Sequence, residues 1–392
     1  MSQRQRKRQR QTRSRKIMAL LFIGVTALIC LVNFIAKDKE SSEKENRMLT
    51  QKPAVTWAGI ESGRFMSQYE SYKSDQFAGR DLWVSLKTSV DLLSGKRESN
   101  GVFKGKDHYL LEEIKTPGEQ TEKNLEAIRV FAGRYPEIPF YMALAPNAAN
   151  ILSDKLPLLA VTKDQGKQFQ KIRESLGSDV TWVDLQKALE SHKEEDLYYR
   201  TDHHWTSQGA YYGYEALAAA MKLDTSKAPG MKPYAVTGDF NGALSSTSGY
   251  EGGYREPIYV YGTEDPADQV QVVVNYTDEQ RKTATFYDPS KLDEKDKYAV
   301  FFGGNYGKID IRTTADSTAR LLVFKDSYAN CLVPFLAPYY REIVMIDPRY
   351  YYGDIDQEMS DYSFDQVLFL YNGNTFVEDN SISGVLSDGT AE

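Results

Sequence analysis

Four histidines are spread over 392 residues, and two of them are adjacent, in the stretch YYRTDHHWTSQGA. Asp202 stands two positions before His204, Trp205 follows, and Thr206 or Ser207 can cap the helix that the spacing over 206–221 predicts. On an irregular segment a carboxylate two residues upstream can fold back to accept the imidazole Nδ1 proton, which leaves Nε2 to act as a base. Such a pair lacks a nucleophile. Ser327 is the candidate: in ARLLVFKDSYANCLVPFL a strand over 319–324 runs into Lys325 and Asp326, the serine follows, and a helical stretch over 328–340 begins. That order puts the hydroxyl at the carboxyl edge of a sheet, where ligands of open α/β folds bind. It also puts the amides of Ser327 and Tyr328 where a developing oxyanion would need them. Each motif alone has a plain structural explanation, as two hydrogen-bonded histidines at a helix start and a serine capping a helix. Together they point to acyl transfer by a serine, its base and an orienting acid.

Other chemistries have less support in the residues. His108 and His192 lie in charged contexts, and no acidic pair stands at metal-ligand spacing, so no metal site is expected. The two cysteines, Cys30 and Cys331, lie some three hundred residues apart, which gives neither a disulfide framework nor a cysteine metal site. A manganese phosphoesterase of the DHH type would rest on Asp202, His203 and His204 alone, without the further Asp-rich motifs it needs. The reading calls for no cofactor.

The elements that must position these groups alternate. Strands are predicted over 139–145, 180–185, 319–324, 342–346 and 366–371, with helices over 119–135, 164–176, 206–221 and 356–362. Alternation of this kind implies an α/β fold with a parallel sheet between helical layers. Residues 223–314 change character, with strand-like pieces over 257–261, 269–275, 283–287 and 298–302, and they read as a β-rich insertion. Upstream, helices over 63–74 and 80–93 and a hairpin around 105–107 open the folded part, taken as 61–378, and a polar, frayed tail over 379–392 closes it.

The amino terminus sets the location. Residues 1–16 carry eight Lys and Arg and no acid, and residues 17–36 carry no charge at all. Twenty such residues match a hydrocarbon core of about 30 Å, and the basic flank places the amino terminus in the cytoplasm. A transmembrane anchor over 17–36 with a stalk over 37–60 and an extracellular domain follows. A cleavable signal peptide is the alternative, but a small-x-small cleavage site is missing. Beyond the span the chain holds 40 basic and 55 acidic residues, a balance that argues against nucleic acid as a partner.

The TDHHW segment, the Asp-Ser turn at Asp326 and Ser327, the GVFKGKDHYLLE hairpin and the YNGNTF end resemble the DHHW proteins of Gram-positive bacteria. Those in turn resemble the alginate O-acetylation proteins of the circularly permuted SGNH hydrolase-like superfamily, in which the Asp-x-His block precedes the serine block, as here. The resemblance implies an SGNH-like sheet flanked by helices, with Ser327 as nucleophile, His204 as base and Asp202 as orienting acid. It places Tyr328, Asn372, Asn374, Arg349 and Trp205 around the oxyanion and substrate, with Gly353 a candidate for the Gly-containing block. Two positions depart from the pattern: Lys325 stands where Gly is usual, and the Asn block lacks its Gly-x-Asn-Asp form. It further implies an extracellular O-acetyltransferase acting on a polysaccharide, with acetyl groups supplied by a membrane-bound O-acyltransferase. The alternatives are a non-catalytic scaffold that binds polysaccharide or that acyltransferase, and a carbohydrate O-acetylesterase. The tyrosine clusters 211, 212, 214 and 350–352 suit sugar stacking, and the acidic ectodomain favours a neutral or amino-sugar polymer over an acidic one.

Overall fold

A computed structural model describes residues 3–42, 47–250 and 253–387. The chain forms two compact units, residues 1–95 and 96–392. In the first, helix α1 (Gln3–Ile35) contains one stretch, Thr12–Ile35, long and apolar enough to cross a membrane, which fits either an anchor or a signal sequence. Three shorter helices follow, α2 (Trp57–Glu61), α3 (Arg64–Asp75) and α4 (Arg80–Leu93). The stretch read as a stalk carries a two-residue pairing, Ser41–Ser42 with Arg47–Met48, and α2 begins inside it.

The second unit is built on an eight-stranded sheet. In chain order its strands are β1 (Phe140–Ala145), β2 (Val180–Val183), β3 (Val272–Tyr276), β4 (Arg281–Thr283), β5 (Lys308–Thr313), β6 (Arg320–Lys325), β7 (Glu342–Ile346) and β8 (Gln366–Asn372). Their spatial order is β4-β3-β5-β7-β6-β8-β1-β2. The five strands from β7 to β2 are parallel, and β5, β3 and β4 extend them antiparallel. The expected parallel sheet is therefore mixed and mostly parallel, and the expected β-rich insertion is in part a continuation of it. The second half of 223–314 completes the central sheet, while Met231–Phe240 and Glu256–Thr263 pair with each other. Of the strand-like pieces, 298–302 is instead a short 3₁₀ turn, Lys297–Val300, joined to 283–287 by the single bridge Tyr287–Phe301.

Both faces of the sheet are covered, which is why β1 and β6 are almost unbroken apolar runs. Alternate residues divide between two cores. Phe140, Met142, Leu144, Leu322 and Phe324 face α5 (Glu119–Arg134), α6 (Gln165–Leu176) and later helices, whereas Ala143, Leu321 and Val323 face α7 (Ser207–Ala220) and the turns after Ser327. The helical stretch expected over 328–340 is one α-turn, Ala329–Leu332, and then 3₁₀ helix, Val333–Tyr339, because Pro334 and Pro338 remove the amide hydrogens an α-helix needs. The end of the chain is not frayed as far as it is described. Residues Ile382–Ser387 are helical, with Ile382 buried and Asn124 bonded to Asp379 O and Ser383 N, so apolar spacing there outweighs the polar composition. The rest of the expected tail, 388–392, lies outside the described residues.

Candidate active site

Parallel registry gathers four strand ends at one edge. Lys325 of β6 lies level with Leu370 of β8, Phe324 with Ile346 of β7, and Asn372 of β8 with Ala145 of β1. The segments that leave those ends therefore meet: Asn147 after β1, Asp326 and Ser327 after β6, Asp347 and Arg349 after β7, and Asn372 closing β8. Onto this edge folds the loop 199–204, closed at its base by the bridge Tyr198–Trp205 and by Tyr199 N–H donating to His204 O at 3.2 Å.

Within that loop Asp202 folds back on His204. Its Oδ1 accepts the His204 backbone N–H at 3.0 Å and faces Nδ1 at 2.6 Å, while His204 Nε2 lies 2.7 Å from Ser327 Oγ. A carboxylate only accepts, so Nδ1 carries the proton and Nε2 accepts the Ser327 hydroxyl hydrogen. Residues 123 apart in sequence thus form one hydrogen-bonded line of acid, imidazole and hydroxyl. Asp202 and His204 are buried, whereas Ser327 is partly exposed and open to a reactant.

The electrostatics match that tautomer. Burial by itself raises the Asp202 pKa, but the adjacent His203 and His204 and the N–H groups of His204 and Ala243 outweigh it and hold the carboxyl well below its usual range. Burial, with His203 and Arg349 nearby, pushes His204 down to about 4 against the opposing pull of Asp202, so the ring is neutral at neutral pH. Asp202, His203 and His204 also bring potential ligand atoms within 4.8 Å of one another. In this arrangement, however, both ring nitrogens of His204 are engaged by Asp202 and Ser327.

Several supports lie outside the motifs read from sequence. The second oxygen of Asp202 accepts the Ala243 N–H at 2.7 Å. This needs Gly242, because a Cβ there would come within 2.3 Å of the Asp202 side chain. Tyr298 stacks on the His204 ring, with centroids 3.7 Å apart and planes 10° apart, and its hydroxyl lies 3.2 Å from both Ser327 O and Cys331 Sγ. Lys325, fully buried behind the serine, donates to Asn305 Oδ1 at 2.9 Å and Asn330 Oδ1 at 3.0 Å and lies 3.7 Å from the buried Asp347. Burial and the charge of Arg349 push Lys325 down to about 8, against Asp347 and Asp326. The Lys in place of Gly is thus the centre of a buried polar cluster. Gly242, Ala243 and Lys325 have partners that are distant in the sequence.

Of the residues expected around the oxyanion and substrate, Tyr328, Asn372, Asn374 and Trp205 are engaged within the fold. Tyr328 N–H already donates to Asp326 Oδ1 at 2.9 Å, and the Tyr328 hydroxyl donates to His203 O, so this residue holds the loop together. The Asn372 side chain caps the helix Gly373–Glu378 through Asn374 N and Thr375 N and donates to Ala145 O. Asn374 is spent on Glu112, Glu113 O and Lys115 N. Trp205 is fully buried, with its indole against Gly213 and its N–H on Tyr328 O, so it cannot touch a substrate directly. Gly353 is exposed, and a Cβ there would meet the Tyr351 ring. Two donors remain: the Ser327 N–H, which meets no acceptor among the described residues, and Arg349, held by Asp347 through Nε and Nη2 but still 30% exposed. Of the tyrosine clusters, Tyr211 and Tyr214 pack on Phe335 and Tyr212 stacks on His192, while Tyr350 and Tyr352 are exposed beside Arg349.

The second unit is thus an α/β sheet with a Ser-His-Asp line at the carboxyl edge of its parallel strands. The chain belongs to the DHHW protein family, whose profile matches residues 137–346. Its fold is similar to the crystal structure of a DHHW family protein from Eubacterium siraeum DSM 15702, at 22% identity and TM-score 0.62 over 73% of this chain and 95% of that one. It is similar also to Bacillus cereus PatB1, solved with a sulfonyl adduct, at 24% identity and TM-score 0.59 over 71% of this chain and 96% of PatB1. The O-acetyltransferase domain of Pseudomonas putida AlgJ matches at 17% identity and TM-score 0.46, over 72% and 95%. No curated protein matches the sequence.

Proposed function

We propose that this protein is a membrane-anchored, extracellular O-acetyltransferase that modifies a cell-envelope or exopolysaccharide through an acetyl-serine intermediate. The observation that carries the proposal is the line from Asp202 through His204 to Ser327, with contacts of 2.6 and 2.7 Å. His204 Nε2 takes the Ser327 proton as Oγ bonds to the acetyl carbonyl carbon. The donor's leaving group departs with that proton, and the acetyl group stays on Ser327. A sugar hydroxyl then attacks, His204 takes its proton, and Ser327 leaves and is reprotonated. General-base help of this kind contributes about 10²–10⁴-fold. Ser327 N–H and Arg349 are the donors for the oxyanion.

The SGNH-like resemblance of the motifs supports acetyl as the group transferred, and the apolar helix behind a basic segment supports the outside location. Acetyl-CoA is confined to the cytoplasm, so a membrane-bound O-acyltransferase is the partner that supplies the donor. The acidic ectodomain makes a neutral or amino-sugar polymer the better acceptor. One observation favours a second reading, a scaffold without chemistry: Tyr328 N–H and the Asn372 and Asn374 amides are all spent within the fold.

Intact-mass analysis of the full chain in detergent, after incubation with an activated acetyl ester, separates the two. A single acetyl adduct present in wild type and absent in Ser327→Ala and His204→Ala supports the enzyme. Folded protein with neither adduct nor ester turnover supports the scaffold. Turnover to free acetate that no sugar acceptor diverts identifies an esterase.

A further inference from the structure

Helix α4 has its apolar face outward. Leu82, Leu86, Val90 and Leu93, spaced to form one stripe of a helix, are 72%, 52%, 56% and 88% exposed, and Trp83 beside them is 47% exposed. The opposite face is mixed: Thr88 is buried, and Val84, Ser85, Asp91 and Leu92 are half-buried. A helix that only packed on its own unit would be turned the other way, because an exposed apolar stripe of this length loses about 1.5–3 kcal/mol per large side chain left in water.

The start of α4 is fixed at the outer end of the apolar helix. Ala78 N–H, two residues before α4, donates to Asn33 Oδ1 in the last turn of α1 at 2.9 Å. The residues that leave α1 are held to the end of α3: Tyr72 donates to the Asp38 carboxylate, Lys39 N–H donates to Gln76 Oε1 at 2.8 Å, and Gln76 Nε2 donates back to Lys39 O at 2.9 Å. The elbow between α3 and α4 therefore sits at the point where α1 would leave a bilayer. From there the outward stripe of α4 extends about 20 Å, at 1.5 Å per residue.

We infer that α4 is an interfacial helix, lying on the outer leaflet of the membrane that α1 spans, with Leu82, Leu86, Val90 and Leu93 in the acyl boundary and Trp83 among the head groups. This rests on the reading of α1 as a retained anchor. The lipid surface is the occupant because the bonds of Ala78, Lys39 and Gln76 hold the stripe next to the span. The composition also fits an interface: a Trp at the edge of the stripe, and Lys87 with its side chain 66% exposed beside it. Two points of attachment, a span and a flat helix, would fix the height at which the chain leaves the bilayer.

Spin labels on the full chain in bilayers of phosphatidylethanolamine and phosphatidylglycerol test this. Cys30→Ser removes the exposed thiol, Cys331 is buried, and single cysteines replace Leu82, Ser85, Leu86, Val90 or Leu93. Val25→Cys in the apolar helix reports on the anchor itself. The expected result is collision with oxygen several-fold above collision with a water-soluble nickel chelate at 25, 82, 86, 90 and 93, and little of either at 85. High nickel collision at 86 and 90, with 25 still in lipid, means that the stripe faces water and overturns the inference while leaving the anchor standing. Low collision with both reagents along the whole stripe means that protein covers it, and this overturns the inference equally. Nickel access at 25 means that the anchor reading has failed and α4 has no bilayer beside it.

Discussion

The indole N–H of Trp205 donates to the main-chain carbonyl of Tyr328 at 3.0 Å, with the two rings 5.2 Å apart. The residue after the base is thereby tied to the residue after the nucleophile, across 123 positions of sequence. The Tyr328 hydroxyl returns the bond to His203 O, so the two loops are laced on both sides of His204 and Ser327.

Replacing Trp205 with Phe keeps an aromatic filler but deletes the N–H and leaves the buried Tyr328 carbonyl with only the weak donor Cys331 Sγ at 3.6 Å, at a cost of about 1–3 kcal/mol. The expected outcome is a folded protein with a lowered Tm and an acetylation rate down about ten- to a hundredfold, since a small misplacement of reacting groups costs that much. Melting curves and single-turnover rates check it, with the loss in kcat and not in KM.

A second variant reaches the site from outside both motifs. Gly242→Ala drives a methyl group into Asp202, which must shift and lose the Ala243 amide. Loss of activity approaching that of an Asp202→Asn variant, about 10⁴-fold in sites of this kind, is expected with the fold retained by circular dichroism. An active Gly242→Ala protein would show that Asp202 needs no support from this loop.

The depressed pKa of His204 makes two statements about pH. As a base pushed down to about 4, it keeps kcat/KM level from neutrality to about pH 5, and below 4 the rate falls tenfold per unit. For stability, the unfolded chain takes up this proton near 6.5 and the folded chain only near 4, so the unfolded state binds more protons in between. Stability therefore falls as pH drops from about 6.5 to 4, by roughly 3 kcal/mol in all, and this group adds nothing further below that. Urea titrations of wild type and His204→Gln across that window measure the difference.

Lys325 is the most exacting residue to replace. Lys325→Ala leaves a cavity, strands the Asn330 carbonyl, leaves Asn305 Oδ1 to Asn330 Nδ2 and the buried Asp347 to Arg349, and a loss of about 3–5 kcal/mol is expected. Lys325→Met keeps most of the volume and is expected to lose less. The difference between the two in urea unfolding separates packing from charge.

The sequence made the parallel strands legible, because strands buried on both faces are apolar runs and the helices between them keep a 3.6 period. Asp202, His204 and Ser327 were legible from local spacing together with motif order. The antiparallel extension was not, since β5, β3 and β4 join β7 through backbone pairing that leaves no motif. The engagement of the Asn372 and Asn374 side chains within the fold was not legible for a related reason. Asn372 and Asn374 are of the expected type at the expected strand end, but whether an amide points at a substrate or caps a helix depends on Glu112 and Asn147, more than two hundred residues away. Trp205 was taken for a substrate contact because of its place in the motif, and its burial follows from the small Gly213 of α7, which makes room for the indole.

The stacking of Tyr298 on His204 has a kinetic consequence. An imidazole stacked at 3.7 Å on Tyr298 and bonded at both nitrogens cannot turn over, so one nitrogen would serve both halves of the proposed double displacement. In that scheme the first leaving group and the incoming hydroxyl would both meet the partly exposed Ser327 hydroxyl beside His204 Nε2, so neither would be bound while the other is there. Donor and acceptor should therefore inhibit each other competitively at high concentration, and initial-rate plots should give parallel lines.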